Sequence, residues 1–85
     1  MARDKMKILT DEGLVWVTPV DDAQASEIGS YWNAVRHYRR TGDDSELWPF
    51  EGRRTEGRSW TTDPDSIDFW AGAGEIDFED IYEEG

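Results

Sequence analysis

Two short apolar runs open the chain, residues 7–10 and 14–20, and the turn-forming Asp11-Glu12-Gly13 separates them. The β-branched and aromatic content of Leu14-Val15-Trp16-Val17-Thr18 predicts a strand, which Pro19 closes or places at a sheet edge, so the pair reads as a hairpin. From Asp22 the period changes. Ala25, Ile28, Tyr31, Trp32, Val35 and Tyr38 recur at spacings of three and four, as one face of a helix over residues 22–40 requires. Asp21 or Asp22 supplies an N-cap, Arg36, Arg39 and Arg40 suit the negative end of the helix dipole, and Thr41-Gly42 supplies the stop.

Beyond that helix the pattern shortens. Asp43-Asp44-Ser45-Glu46 resembles a first helical turn, and Leu47, Trp48 and Phe50 form an apolar knot interrupted by Pro49. Gly52 and Gly57 punctuate residues 51–62, which predicts a second hairpin with strands over 53–55 and 58–62. Asp63 as N-cap with Pro64 at the first helical position starts another helix, with Ile67 and Trp70 or Ala71 on its buried face and Gly72 and Gly74 at its end. Residues 75–82 fit either a helix or a strand, and a short helix over 78–84 is the preferred reading. The chain is therefore expected to form one small α+β domain, residues 1–85, with one long amphipathic helix, short strands in hairpins and an acidic C-terminal helical segment. Area scaling gives an 85-residue chain a modest core, burying roughly 64% of its unfolded surface. Five Trp, three Tyr and three Phe offset a hydrophobic content of 36% by filling that core with large side chains.

Charge adds a polarity that the hydrophobic pattern does not show. The net charge is −11, yet residues 1–62 hold eleven acids against nine bases, so the imbalance belongs to residues 63–85, which hold nine acids and no base. Asp63, Asp65, Asp68, Glu75, Asp77, Glu79, Asp80, Glu83 and Glu84 are the candidate acidic contacts for a partner, with Phe78 and Tyr82 as aromatic ones. A carboxylate array offers Lys and Arg the same acceptor oxygens as a phosphate array, and electrostatic steering speeds encounter with a basic surface. The same stretch also fits a solvated face of a packed element or an acidic tail of the activation-domain type.

Two basic groups carry the competing reading. Arg36, Arg39 and Arg40 at the end of the long helix and Arg53, Arg54 and Arg58 in the following segment are candidate phosphate contacts, with Trp48, Trp60 or Tyr38 available for base stacking. Such a surface must act within a Debye length of about 8 Å against the repulsion of a strongly acidic chain. Pairing of these arginines with the protein's own acidic C-terminal segment is the alternative, and it is preferred. A third reading makes Trp48, Phe50 and Trp60 a self-association patch of a small virion or assembly subunit.

Catalytic chemistry finds little to use. The chain has no Cys, which removes disulfides, thiolate metal sites and thiol nucleophiles. His37, the one histidine, is flanked by arginines and no nucleophile motif lies near it. Neither Asp43-Asp44-Ser45-Glu46 nor Asp63-Pro64-Asp65-Ser66-Ile67-Asp68 has the ligand spacing and central Gly of a calcium loop. No cofactor, no metal and no enzymatic activity are expected. The basic N-terminus lacks the apolar stretch of a signal peptide and no run reaches a membrane span, so a cytoplasmic location is expected.

The run from Thr18 to Val35, then Thr41-Gly42-Asp43, Pro49-Phe50-Glu51-Gly52, Thr62-Asp63-Pro64-Asp65 and Asp77-Phe78-Glu79-Asp80-Ile81-Tyr82, resembles a group of small acidic proteins of actinobacteria and their phages. The resemblance spans about three quarters of the chain. It implies a host or mobile-element setting and brings no established activity and no functional residues. Taken with the charge distribution, it leads to the expectation of a non-enzymatic protein that binds and modulates, as an inhibitor or nucleic-acid mimic, a basic macromolecule such as a nucleic-acid-handling protein or ribonucleoprotein. Direct binding of nucleic acid is the less favoured option.

Overall fold

A computed structural model describes residues 4–76 of the 85. The segment over 78–84 expected to be helical, together with Asp77, Phe78, Glu79, Asp80, Tyr82, Glu83 and Glu84, lies outside the described residues.

Strands β1 (Met6–Thr10) and β2 (Gly13–Val17) form an antiparallel hairpin in the register Thr10 opposite Gly13 through Met6 opposite Val17. Gly13, which follows the Asp11-Glu12 turn, takes φ +105°, a left-handed backbone conformation that glycine adopts readily, and a β-carbon there would lie 3.4 Å from the Trp70 ring. β2 stops at Val17, short of the expected residue 20. Beyond it the Thr18 N–H turns to the Glu56 carboxylate at 2.8 Å, and Pro19 has no N–H to continue a ladder.

Helix α1 (Asp22–Thr41) begins where the pattern predicts, because the Asp21 carboxylate accepts the Gln24 N–H at 2.7 Å. Its end is set by Gly42, which adopts φ +80° and donates its N–H to the Tyr38 carbonyl at 2.7 Å. Ile28, Tyr31, Trp32, Ala34 and Val35 are its buried face. The Asp43–Phe50 stretch is a 3-10 turn (Ser45–Phe50), not an α-helix, and Pro49 inside it withholds an N–H. Of its apolar knot, Leu47 is buried, Phe50 half-buried and Trp48 65% exposed.

The second hairpin is shorter than expected, β3 (Arg54–Thr55) with β4 (Arg58–Ser59). Glu56 and Gly57 both adopt positive φ, 54° and 79°, as a type I′ turn requires. Helix α2 (Pro64–Gly72) is capped by Asp63, whose carboxylate accepts the Asp65 N–H and the Ser66 hydroxyl.

One core joins these pieces. β1 lies at its centre, with Ile8 and Leu9 both fully buried. The carbonyls on the edge of β1 away from β2 are occupied: Lys7 accepts the Trp32 indole N–H at 2.6 Å and Leu9 accepts the Thr61 N–H at 2.8 Å. Tyr31 stands within 5.3–5.7 Å of the Trp60, Trp32 and Phe50 rings, and its hydroxyl donates to the Thr61 carbonyl at 2.6 Å. Thr61 thus ties β1, α1 and the segment entering α2 to one another. The α+β architecture with one long helix and two antiparallel hairpins is as expected.

Candidate acidic interface

Helix geometry divides α2 into two faces. Ile67 is buried and Trp70 packs against the core, whereas Asp65, Asp68, Phe69 and Gly72, at spacings of three and four, share the outer face. Phe69 is 65% exposed and meets Trp70 edge-on at 5.0 Å. This outer face is acidic and aromatic, and α2 carries no basic side chain. Glu75 follows it, exposed, after Gly74.

The four acids on the described part of the C-terminal segment do different work. Asp63 is consumed as the helix cap. Asp68 accepts the Arg39 guanidinium at 2.8 Å through one oxygen and the Tyr38 hydroxyl at 2.8 Å through the other, which docks α2 on the end of α1. That hydrogen bond to Asp68, with a little burial and the nearby charge, raises the Tyr38 phenol above its ordinary value. Asp65 and Glu75 make no ion pair with any described residue.

The six arginines do not gather into one phosphate-binding surface. Arg53 pairs with Glu27 in the first half of α1 at 3.5 Å, and Arg58 with Glu12 at the tip of the first hairpin at 3.8 Å. Arg39 pairs with Asp68 twelve residues further along the helix, which at 1.5 Å per residue is roughly 18 Å away from Glu27. Arg36 bonds Asn33 at 3.2 Å, and Arg40 and Arg54 are exposed. Among the described pairs, Arg53 and Arg58 find acids of the first half of the chain and Arg39 finds Asp68 of the C-terminal segment. Of the described C-terminal acids, only Asp68 takes part. Two of the three stacking candidates, Trp60 and Tyr38, are also withdrawn. Trp60 is 3% exposed with its indole N–H on the Thr55 hydroxyl at 2.8 Å, and Tyr38 is bound to Asp68. For the same reason Trp48, Phe50 and Trp60 do not form a surface patch; Trp60 and Phe50 pack on Tyr31, and Trp48 is the exposed member.

His37 sits between two carboxylates where α1 meets the 3-10 turn, its Nε2 3.3 Å from Asp43 and 3.1 Å from Glu46. The Asp43 carboxyl is held below its ordinary value, first by the Ser45 N–H and hydroxyl and then by His37. No group of three or more His, Asp or Glu side chains among the described residues is arranged to hold a metal ion. A shallow polar groove runs between the tips of the two hairpins, lined by Thr10, Asp11 and Glu12 on one side and Gly57, Arg58 and Ser59 on the other. No described helix is long and apolar enough to cross a membrane.

Sequence reasoning missed Phe69 as the aromatic on the outer acidic face, although its spacing from Asp65 signals it. It also missed Glu56, a non-glycine residue at positive φ whose side chain reaches across 38 positions to Thr18. The Glu56-Gly57 dipeptide was the only local hint of that turn. Comparison with protein-family models, with curated proteins and with solved structures finds no match to this chain.

Proposed function

We propose that this protein is a non-enzymatic binder that modulates a macromolecule with a basic surface, and that the outer face of α2, with Asp65, Phe69 and Glu75, is its contact. The observation that carries this reading is the distribution of ion pairs: Arg39, Arg53 and Arg58 are engaged by Asp68, Glu27 and Glu12, whereas Asp65 and Glu75 have no such partner among the described residues. The charge left for a partner on the outer face of α2 is therefore acidic. An exposed aromatic between carboxylates adds apolar contact area to a steered, charge-assisted encounter. In the mobile-element setting that the sequence resemblance implies, the target is a nucleic-acid-handling protein or a ribonucleoprotein, whose basic surface would otherwise hold phosphates.

The test is capture from nuclease-treated bacterial lysate by the tagged protein, beside the variant Asp65→Lys/Phe69→Ala/Glu75→Lys, which leaves the Arg39–Asp68 contact intact. A protein partner is expected to bind the wild type, weaken as salt rises and be lost in the variant. Recovery of nucleic acid alone, retained by that variant and lost on Arg40→Ala/Arg54→Ala, would transfer the function to the arginines.

A further inference from the structure

Among the described residues, nothing hydrogen-bonds to the outer edge of β2. The two-residue turn places Thr10 and Gly13 in a hydrogen-bonded pair, and the alternation of an antiparallel ladder then makes Ile8–Val15 and Met6–Val17 the other bonded pairs. Leu14 and Trp16 consequently direct their N–H and C=O groups away from β1. Among the described residues β2 has β1 as its sole neighbour in a two-stranded sheet, and none of them bonds to those two N–H and two C=O groups. The opposite edge of the hairpin differs, because Trp32 and Thr61 cover the Lys7 and Leu9 carbonyls. The open stretch is bounded at both ends: the Glu12 N–H is taken by the Thr10 hydroxyl and the Thr18 N–H by Glu56. An uncharged, β-branched and aromatic strand with four backbone groups that no described residue takes up is a template for strand addition.

Charge decides what pairs with it. A second copy could run antiparallel with Leu14 opposite Trp16, which would satisfy all four groups. That register also sets Glu12, which holds its own Arg58 at 3.8 Å, opposite Thr18 of the other copy, where the Glu56 carboxylate is bonded, so a net negative charge is left at each end of the pairing. An extended segment with Lys or Arg at its ends meets the Glu56 carboxylate, which pairs with no cation among the described residues, favourably. We infer that the Leu14–Trp16 edge of β2 receives an extended basic peptide segment of a partner protein by β-strand addition, with Glu56 selecting for its terminal cation. This surface is separate from the outer face of α2 and does not depend on it.

The test measures amide exchange of Leu14 and Trp16 in the intact protein, by NMR, with and without a capped peptide of sequence Lys-Val-Thr-Val-Thr-Lys. Both amides should exchange fast in the free protein and slow by about tenfold or more at saturating peptide. The isomorphous peptide with Glu at both ends should leave them unchanged. Trp16→Pro removes one edge N–H without touching the β1 ladder and should abolish peptide binding, whereas Trp16→Val should retain it; the exchange readout stands even if Trp16→Pro does not fold. Peptide binding without protection of these two amides overturns the inference, as does protection that rises with protein concentration in the absence of peptide, which would mark pairing between copies. Binding lost in the Asp65→Lys/Phe69→Ala/Glu75→Lys variant with both amides unprotected in the wild type would assign the basic peptide to α2 instead. Retention of the peptide and its protection pattern in that variant would support strand addition independently of α2.

Discussion

Replacing Tyr31 by Phe tests the junction on which the fold depends. The Tyr31 ring is fully buried and its hydroxyl donates to the buried Thr61 carbonyl at 2.6 Å. Phe keeps the ring contacts with Trp32, Phe50 and Trp60 but leaves that carbonyl without its donor, a loss of about 2 kcal/mol, within the 1–3 kcal/mol typical of an orphaned buried group. In a domain of this size that corresponds to a fall in Tm of roughly 8–16 °C. The pH dependence is the sharper signature. Burial, with Asp11 adding to it, pushes the Tyr31 phenol far above its ordinary value of 10.0. Above that pH the unfolded chain has released the proton and the folded protein has not, so ionisation favours unfolding and wild-type stability falls by about 1.4 kcal/mol per pH unit from this group alone. Tyr31→Phe has no such proton to lose. The other titrating groups are shared and cancel in the difference, so a gap of about 2 kcal/mol at pH 7 should shrink to well under about 1 kcal/mol near pH 11. Guanidinium unfolding followed by Trp fluorescence at pH 7, 9, 10 and 11 measures it, with an unchanged m-value confirming that the unfolded states are comparable. A gap that stays constant across that range, or a variant as stable as the wild type at pH 7, would refute the buried, neutral, hydrogen-bonded phenol.

Further substitutions probe single contacts. Gly13→Ala forces a β-carbon into positive φ and to 3.4 Å from Trp70, and should cost about 1–2 kcal/mol in thermal unfolding. Glu56→Gln keeps an acceptor for the Thr18 N–H and should lie within about 0.5 kcal/mol of the wild type, whereas Glu56→Ala removes it and should cost about 1 kcal/mol in urea titration. Asp68→Asn disrupts an exposed pair with Arg39 and should shift stability by no more than about 1 kcal/mol, a result checked by double-mutant cycle with Arg39→Ala. Because the folded Asp43 carboxyl is held low, its contribution is present above the ordinary value of 3.8 and is lost as pH falls through the folded value; Asp43→Asn should flatten the acid limb of the stability curve, read by circular dichroism.

Local signals made the helices legible. Asp21 and Gly42 bracket a clear 3.6 period, and Asp63-Pro64 announces α2, because caps and apolar spacing act within a few residues. The long-range arrangement was not legible. Nothing near Trp60 distinguishes it from Trp48, yet one is buried on Tyr31 and the other exposed, since the difference depends on where a two-residue strand returns to the helix. The arginine partners were equally hidden. Arg53 finds Glu27 and Arg58 finds Glu12 across the fold, so counting charges along the chain identified the acidic excess but not which carboxylates neutralise which bases. The spare edge of β2 also follows from three-dimensional neighbours, because a strand's pattern does not say whether both of its edges are taken.

Thr61 has a consequence for the order of assembly. The first hairpin and α1 are built from contacts close in sequence, and both can be complete in outline before residue 61 joins them. Until it does, the Leu9 carbonyl and the Tyr31 hydroxyl lack their partners, and the contact that supplies the first of these spans 52 positions. Closing so long a loop is entropically costly and is rewarded only at the end, by several groups at once. A chain ending before residue 61 therefore lacks both of these partners and, with them, the junction through which α2 and its buried Ile67 join the core.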